Sequence, residues 1–151
     1  YIINKEKPVV ALEDYNFKKA DSIIADHSEF EDFFNRVDYK SQKIYYIQKY
    51  FSSNFKDGKN KLLLDYQQSS AVSYNGKNLL VKAKAGSGKT RVLISKFLFL
   101  LEKEHLSPQS LIILTFNKSV TLEISERINN ILEKSNKSLK KQPLKKIRDC
   151  F

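Results

Sequence analysis

The sequence has few of the residues that cross-link a chain or anchor it in a membrane. Among its 151 residues are one cysteine, three prolines, four glycines, no methionine and no tryptophan. The lone Cys150 excludes an internal disulfide framework and is typical of a reducing compartment. The longest apolar run, residues 97–101, is far shorter than the roughly 20 residues of a membrane span. The N-terminus also has no apolar signal-peptide core. We therefore expect a soluble, cytoplasmic protein with no membrane partner.

The missing methionine bears on how the chain begins. Translation starts with methionine, whereas this sequence starts with Tyr1, so we expect a piece of a larger protein, or one whose start was removed. Hydrophobic residues make up 41% and aromatic residues 12% of the chain. That supply is enough for a core and excludes a disordered or collagen-like protein. The length suits one ordinary domain or two small ones.

Positive charge is concentrated in the second part of the chain. Residues 1–60 carry ten basic and ten acidic side chains, whereas residues 61–151 supply the whole net charge of +10. Seven cations, and no acid before Asp149, lie between residues 134 and 148. Such a cluster attracts phosphates. A solvated, lysine-rich surface is the alternative explanation for this basic tail.

Two helices are predicted before residue 60. Apolar residues recur at three- and four-residue steps over residues 18–37 and again over residues 41–51. His27 lies on the first apolar stripe, and no nucleophile is placed beside it, so we interpret it as a packed histidine. Asp57-Gly58 predicts a turn. We place a domain boundary near residue 60, where the charge balance also changes.

After that boundary the pattern becomes α/β. Asp65 is a candidate N-cap, and Asn75-Gly76 predicts a turn before a short strand. A strand, a helix and a second strand in this order predict a right-handed crossover and a parallel sheet. The predicted elements are a helix over 66–73, a strand over 78–83, a helix over 89–104, a strand over 111–115 and a helix over 119–134.

A glycine-rich loop between the first strand and the long helix carries the clearest chemistry. Glycines let successive backbone N–H groups point at phosphate oxygens, and the helix N-terminus adds its partial positive charge. Lys89 is placed to reach the β- and γ-phosphates, and the Thr90 hydroxyl to bind Mg²⁺. The pattern G-x-x-x-x-G-K-[ST] is met except that Ala83 replaces the first glycine, and Lys84 adds a cation. The alternative is a glycine-rich turn with no ligand.

The stretch from Ala85 to Leu93 resembles the first nucleotide-binding motif of the UvrD/Rep family of superfamily 1 DNA helicases. The usual form of that motif is A-G-A-G-S-G-K-T-R-V-L, and Lys84 departs from it by standing where a glycine is usual. The resemblance implies that ATP and Mg²⁺ are bound here, with Lys89 and Thr90 in the catalytic role and Thr90 on the metal. The implied nucleotide-binding residues are Gln68, Ala85, Gly86, Ser87, Gly88, Lys89, Thr90 and Arg91.

Upstream of the loop, residues 64–72 are similar to the family's Q motif, in which a glutamine followed by x-x-A-V reads adenine. Gln68 holds that position. One side-chain amide offers both a donor and an acceptor, which suits the edge of a base. The alternative is a glutamine that is simply solvated on a polar helix.

Downstream, residues 114–128 are similar to motif Ia, commonly T-F-T-N-K-A-A-x-E-M-x-x-R-I. In that family this strand end and helix start hold single-stranded DNA, by stacking on bases and by bonds to phosphates. The family's N-K pair falls on Lys118-Ser119 when no gap is allowed. Phe116 as a core residue beneath the sheet is the alternative. The implied nucleic-acid-binding residues are Thr115, Phe116, Asn117 and Lys118.

Together the three motifs cover residues 62–134 in the family's order. They imply an α/β fold in which residues 61–151 form the first, incomplete part of a RecA-like P-loop NTPase domain, a parallel sheet with flanking helices. Residues 1–60 match none of these motifs, and we interpret them as a helical N-terminal accessory segment; helicase IV-like members also carry an extra segment ahead of the motor. The implied function is the N-terminal part of an ATP-dependent DNA helicase or translocase. Its partners are ATP, single-stranded DNA and the remainder of the motor.

The sequence lacks the acidic Asp-Glu pair and the second-domain arginines that such a motor uses for hydrolysis. We therefore expect this chain alone to be inactive as an ATP hydrolase. The alternative function is a truncated or degenerate module that binds nucleotide or nucleic acid without motor activity. A small P-loop kinase fits poorly, because too little chain remains for its second carboxylate and substrate lid.

Overall fold

The computed structural model describes residues 8–26 and 33–135. Six α-helices and one short hairpin occupy these ranges, with a single turn of 3₁₀-helix at Pro108–Ser110. Within them, no helix is long and apolar enough to cross a membrane. In chain order the elements are α1 (Pro8–Glu13), α2 (Phe17–Asp26), α3 (Phe33–Asn54), β1 (Lys56–Asp57), β2 (Asn60–Lys61), α4 (Tyr66–Ser73), α5 (Lys89–Glu102) and α6 (Lys118–Lys134).

The two helices predicted before residue 60 are present, but the boundary between them differs from the predicted one. Helix α2 ends at Asp26, and α3 runs from Phe33 to Asn54, so residues 33–37 belong to the second helix. His27, Cys150 and the basic tail beyond Ser135 lie outside the described residues. The helices predicted after residue 60 are confirmed, with ends shifted by no more than a few residues.

An aromatic cluster joins the N-terminal helices to α5. The Phe17 ring lies 5.5 Å from that of Phe99 and 6.3 Å from that of Tyr50, measured between centroids. The Tyr50 hydroxyl donates to Glu102 Oε2 at 3.1 Å, and burial raises the pKa of Tyr50 above its usual range. Buried side chains of all six helices belong to one continuous core. Helix α5, which follows the glycine-rich loop, is therefore held by helices from before residue 60.

A two-residue turn connects the strands of the hairpin. Lys56 pairs with Lys61 and Asp57 with Asn60 in antiparallel register. Gly58 in the turn has φ of +67°, a left-handed conformation that side chains with a Cβ rarely adopt. The predicted Asp57-Gly58 turn is thus confirmed, and it orients Asp57 toward α6, which packs against β1.

Helices α4 and α5 are joined by a half-buried lysine. The Lys96 ammonium on α5 donates to the carbonyl of Val72 at 2.8 Å and to that of Tyr74, both at the end of α4. Those carbonyls have no partner within the helix, so a cation there satisfies them and complements the helix dipole. Burial lowers the pKa of Lys96. The contact fixes the helix that carries Gln68 against the helix that begins at Lys89.

The parallel sheet predicted from residues 78–83 and 111–115 does not form in the described part of the chain, where the hairpin is the only sheet. Residues 111–114 nevertheless alternate as a strand does. Leu111 and Ile113 pack against the core, while Ile112 and Leu114 are 76% and 89% exposed. An extended segment becomes a β-strand only when its backbone N–H and C=O groups form hydrogen bonds with a neighbouring segment. Without such bonds these segments leave one apolar face uncovered.

We predict that Phe17→Ala lowers the free energy of unfolding by about 3–5 kcal/mol, because it opens a cavity between the N-terminal helices and α5. Phe17 is 1% exposed. Urea denaturation followed by circular dichroism measures the loss. Val10→Ala is the matched control, since Val10 on α1 is 53% exposed. Equal losses in the two variants would contradict a shared core.

Candidate functional site

Two glycines shape the loop that precedes α5. Gly86 and Gly88 have φ of +77° and +87°, and Gly88 is the N-cap residue of α5. The Ser87 N–H and hydroxyl both donate to the carbonyl of Lys84, at 3.3 and 2.7 Å, which closes the loop on itself. The helix therefore begins directly after a curled loop, and its first N–H groups have no partner within the helix.

The backbone conformation of Gly88 favours glycine, and the missing side chain leaves room for the Gln68 amide. A Cβ at this position would lie 2.6 Å from Nε2 of Gln68, closer than atoms of that kind approach. Gln68 Nε2 also donates to the Ser87 carbonyl at 3.1 Å. Helix α4 and the loop are thus in direct contact at the point where α5 begins.

Both ends of the Gln68 amide are engaged by the protein. Asp65 caps α4 by accepting from the Gln68 backbone N–H at 2.8 Å, which confirms the predicted N-cap. In return Gln68 Oε1 accepts from the Asp65 N–H at 3.1 Å, completing a capping box. The donor end of the amide contacts Ser87 of the loop. The structure therefore places Gln68 against the loop, with its orientation set by Asp65.

The Lys89 ammonium lies across the mouth of the loop. Its Nζ donates to the carbonyls of Ala83 at 3.1 Å and Lys84 at 2.8 Å. The side chain nevertheless remains exposed. An ammonium has three donors and no acceptor, so it is the group that an incoming anion would draw away from these carbonyls.

A cavity of about 270 Å³ opens between the loop and α6. Its lining is cationic and contains no carboxylate. Arg91, whose Nη1 donates to the Leu63 carbonyl at 3.4 Å, forms one side. Ala85 and Ser87 are exposed on the outer surface of the loop. The residues that line the cavity are Gly86, Gly88, Lys89, Thr90, Arg91 and Arg127.

Among the side chains that line the cavity, Thr90 offers a metal ion an oxygen, its hydroxyl. No cluster of three or more His, Cys, Asp or Glu side chains that could hold a metal occurs in residues 8–26 and 33–135. Mg²⁺ commonly binds through one or two protein oxygens, phosphate oxygens and waters. The donors present therefore fit a metal that arrives with a polyphosphate rather than a metal held by the protein alone.

The predicted nucleic-acid-binding residues lie together at the start of α6, and two of them have structural roles. Asn117 is the N-cap residue, and its Oδ1 accepts from the Val120 N–H at 2.9 Å and the Ser119 hydroxyl at 2.8 Å. The Thr115 hydroxyl donates to the Asn117 carbonyl at 3.0 Å and shares a bond with the Thr121 hydroxyl. These bonds fix the turn into α6.

The other two residues of this group face outward. Phe116 is fully exposed, so it is not the core residue of the alternative interpretation, and Lys118 is exposed beside it. Phe116 lies on the rim of an apolar groove of about 580 Å³ that runs between α5 and α6. Thr90 and Thr115 also line this groove, so the predicted nucleotide-binding and nucleic-acid-binding residues meet along it.

One residue of the cavity was not predicted. Arg127 on α6 lines the same cavity as Lys89, although it is 38 positions away in the sequence. Its guanidinium is paired with Asp57 of the hairpin. In the sequence, Arg127 is notable only because it belongs to the stretch that is similar to motif Ia. That resemblance did not indicate that Arg127 would lie near the glycine-rich loop.

The comparison with protein families finds one match. The sequence profile described as the UvrD/REP helicase N-terminal domain matches residues 64–148, which is more than half of the chain. The match begins at the capping box of α4 and includes the glycine-rich loop and α6. No solved structure matches this chain.

Curated relatives share the same part of the sequence. The chain is 41% identical over 69 residues to DNA helicase II of Escherichia coli, which is 46% of this chain and 10% of that protein. It is 38% identical over 71 residues to the ATP-dependent DNA helicase Rep of Buchnera aphidicola, covering 47% and 11%. A probable DNA helicase II homolog of Mycoplasma capricolum is 40% identical over 76 residues, covering 50% and 10%. The chain thus spans about a tenth of the length of these relatives.

We predict that Asp65→Ala destabilises the chain by about 1 kcal/mol, because α4 loses the acceptor for its first N–H groups. The Asp65 backbone N–H that donates to Gln68 Oε1 is kept in this variant, so the change tests the carboxylate cap alone. Thermal unfolding followed by circular dichroism tests the stability loss. Asp14→Ala removes the same carboxylate from an exposed turn and is the control. A capping role would be contradicted by equal melting temperatures for the two variants.

Proposed function

The chain belongs to the UvrD/REP helicase N-terminal domain family, and from that premise we propose that it is the N-terminal part of an ATP-dependent DNA helicase or translocase. In this role it binds ATP with Mg²⁺ and single-stranded DNA. The observation that carries the proposal is the cationic cavity between the loop and α6, where Lys89 and Thr90 stand at the first turn of α5.

The triphosphate is proposed to occupy this cavity. Its oxygens would take the place of the Ala83 and Lys84 carbonyls that Lys89 now contacts. A charge-assisted bond to phosphate is stronger than a bond to a neutral carbonyl, which favours the exchange. The Thr90 hydroxyl would contribute the protein ligand to Mg²⁺. The loop residues from Ala85 to Arg91 would surround the phosphates.

Gln68 is proposed to recognise adenine. Its contact with the Ser87 carbonyl already places the amide beside the loop, as a base attached to the bound phosphates would require. Each end of the amide keeps one unused hydrogen-bonding position, because Nε2 has a second N–H beside the bond to Ser87 and Oε1 a second lone pair beside the bond from Asp65. The side chain can also turn toward the base without loss of the cap, because the bond that the Gln68 backbone N–H donates to the Asp65 carboxylate is independent of it.

Single-stranded DNA is proposed to cross the start of α6. The exposed Phe116 ring offers a stacking surface, and the Lys118 ammonium a phosphate contact. Thr115 and Asn117 would hold the turn that presents them, through the bonds they make to each other and to α6.

The remainder of the motor is proposed as the partner that completes the fold. We assign residues 1–60 to a helical accessory segment and residues 61–151 to the first part of a RecA-like domain. Residues 78–83 and 111–115 would become strands of its parallel sheet when neighbouring strands are supplied. The uncovered Ile112 and Leu114 side chains support this assignment, because a second layer would bury them.

The chain alone is proposed to bind nucleotide without hydrolysing it rapidly. Rapid hydrolysis of ATP needs a group that positions the attacking water and cations that stabilise the transferring phosphoryl group. The cavity supplies cations and, in the described residues, no carboxylate. The enzyme activity is therefore proposed for the longer protein.

We predict that Lys89→Ala abolishes binding of a fluorescent ATP analogue in the presence of Mg²⁺, because it removes the ammonium at the loop. Lys89 is exposed, so the variant is expected to melt near the wild-type temperature. Fluorescence anisotropy measures affinity, and release of inorganic phosphate measured in parallel is expected to stay near background. Lys77→Ala removes an exposed lysine outside the loop and is the control. Binding that survives Lys89→Ala would count against the proposed site.

We predict that Phe116→Ala weakens binding of a labelled oligo-dT strand by about 1–3 kcal/mol, because it removes a stacking surface. Ile112→Ala is the matched control, since Ile112 is also exposed and precedes Phe116 on the same segment. Anisotropy titrations at two salt concentrations separate stacking from phosphate contacts. Equal losses in both variants would show that exposed apolar area alone drives binding.

A further inference from the structure

One ion pair connects the hairpin to the cationic cavity between the loop and α6. Arg127 Nε donates to Asp57 Oδ1 at 3.3 Å, and Arg127 Nη2 donates to Oδ2 of the same carboxylate. Two parallel bonds of this kind hold a planar guanidinium in one orientation. Both side chains are largely shielded from water, with 30% of Arg127 and 25% of Asp57 exposed. The orientation of Arg127 is therefore set by a residue outside α6.

The pair leaves part of the guanidinium available. Of its five N–H donors, the bonds to Asp57 use one on Nε and one on Nη2. Among the described residues no acceptor takes the others. Arg127 also lines the cavity with Lys89 and Thr90. An oriented guanidinium with unused donors at a cationic cavity is suited to an anion with several oxygens, such as a polyphosphate.

The charges around Arg127 favour this placement. Lys89 and Arg91 line the cavity with it, and like charges repel. The Asp57 carboxylate offsets that repulsion and raises the pKa of Arg127. It therefore holds the third cation near the other two without an anion present.

The partner of Arg127 comes from outside the part of the chain that matches the family. The match covers residues 64–148, whereas Asp57 belongs to the hairpin before it. The hairpin is held on α6 at a second point, where Lys134 Nζ donates to the Gly58 carbonyl at 3.4 Å. The segment before residue 60 thus has a direct contact with the wall of the cavity.

We propose that Arg127 is a further phosphate-binding residue of the cavity, and that Asp57 is a positioning residue that orients its guanidinium toward the bound polyphosphate. The inference rests on the proposed nucleotide-binding function. It gives the N-terminal segment a role at the nucleotide site: the segment adjusts the affinity of the cavity through one ion pair.

The test compares two probes on the full 151-residue chain, the fluorescent ATP analogue with Mg²⁺ and inorganic tripolyphosphate. Arg127→Gln is expected to weaken both by about tenfold or more, as loss of hydrogen bonds to a charged group does. Asp57→Asn is expected to weaken both less. In the Arg127→Gln background Asp57→Asn is expected to have no further effect, because it acts through Arg127. Asp57→Glu keeps the carboxylate and is expected to bind nearly as the wild type.

Lys134→Gln is the matched control, since it loosens the same hairpin without removing a residue of the cavity. Melting temperatures of all variants identify losses caused by unfolding. A loss from Lys134→Gln as large as that from Asp57→Asn would overturn the positioning role, because hairpin docking alone would then explain it. Tighter binding by Asp57→Asn would also overturn it, by showing that the carboxylate competes with phosphate.

The two proposals fail in distinguishable ways. If Lys89→Ala abolishes binding of both probes and Arg127→Gln binds as the wild type, the result supports the nucleotide site and contradicts the role of Arg127. If the wild type binds tripolyphosphate with the expected dependence on Arg127 but does not bind the ATP analogue, the phosphate contact stands and the nucleotide function falls. If the wild type binds neither probe, both fall.

Discussion

The packing of α5 against the N-terminal helices is the constraint on which the rest of the structure depends. Near the C-terminal end of α5, Phe99 packs against Phe17, which in turn packs against Tyr50. The N-terminal end of α5 directly follows the glycine-rich loop. Phosphate binding by a loop of this kind requires a helix that does not move when an anion arrives. In the family such support is expected from a central sheet. In this chain the described helices from before residue 60 supply it.

The loop itself is determined locally, which is why the sequence predicted it well. Gly86 and Gly88 adopt left-handed backbone conformations that residues with a side chain rarely adopt. The Gln68 amide lies so close to Gly88 that a Cβ on that residue would be 2.6 Å from Nε2. The capping box at Asp65 also involves residues only three positions apart. Motifs of this type are visible in a sequence because each residue's conformation depends on its near neighbours.

Interactions between distant residues were not predictable in the same way. The unbroken apolar run of residues 111–114 is typical of a strand that is covered on both faces, but in the described residues only one of its faces packs on the core. A strand also needs hydrogen bonds from another segment, and the sequence pattern does not say where that segment lies. The pair between Asp57 and Arg127 joins positions 70 residues apart. Its carboxylate belongs to the last residue of β1, directly before the two-residue turn, where an aspartate is expected for local reasons. Nothing in that turn indicates a partner on α6.

The loop satisfies its own polar groups, and this governs how an anion can enter. Lys89 donates to the carbonyls of Ala83 and Lys84, Gln68 donates to that of Ser87, and Asp57 holds Arg127. A ligand has to offer the Lys89 ammonium a better acceptor than the two carbonyls, whereas Arg127 can bind it with the donors that Asp57 leaves unused. A single carboxylate can satisfy one of these cations, whereas a polyphosphate carries enough oxygens to reach several at once. In the proposed function, the bonds that Lys89 has to exchange therefore favour an extended, highly charged anion over a small one.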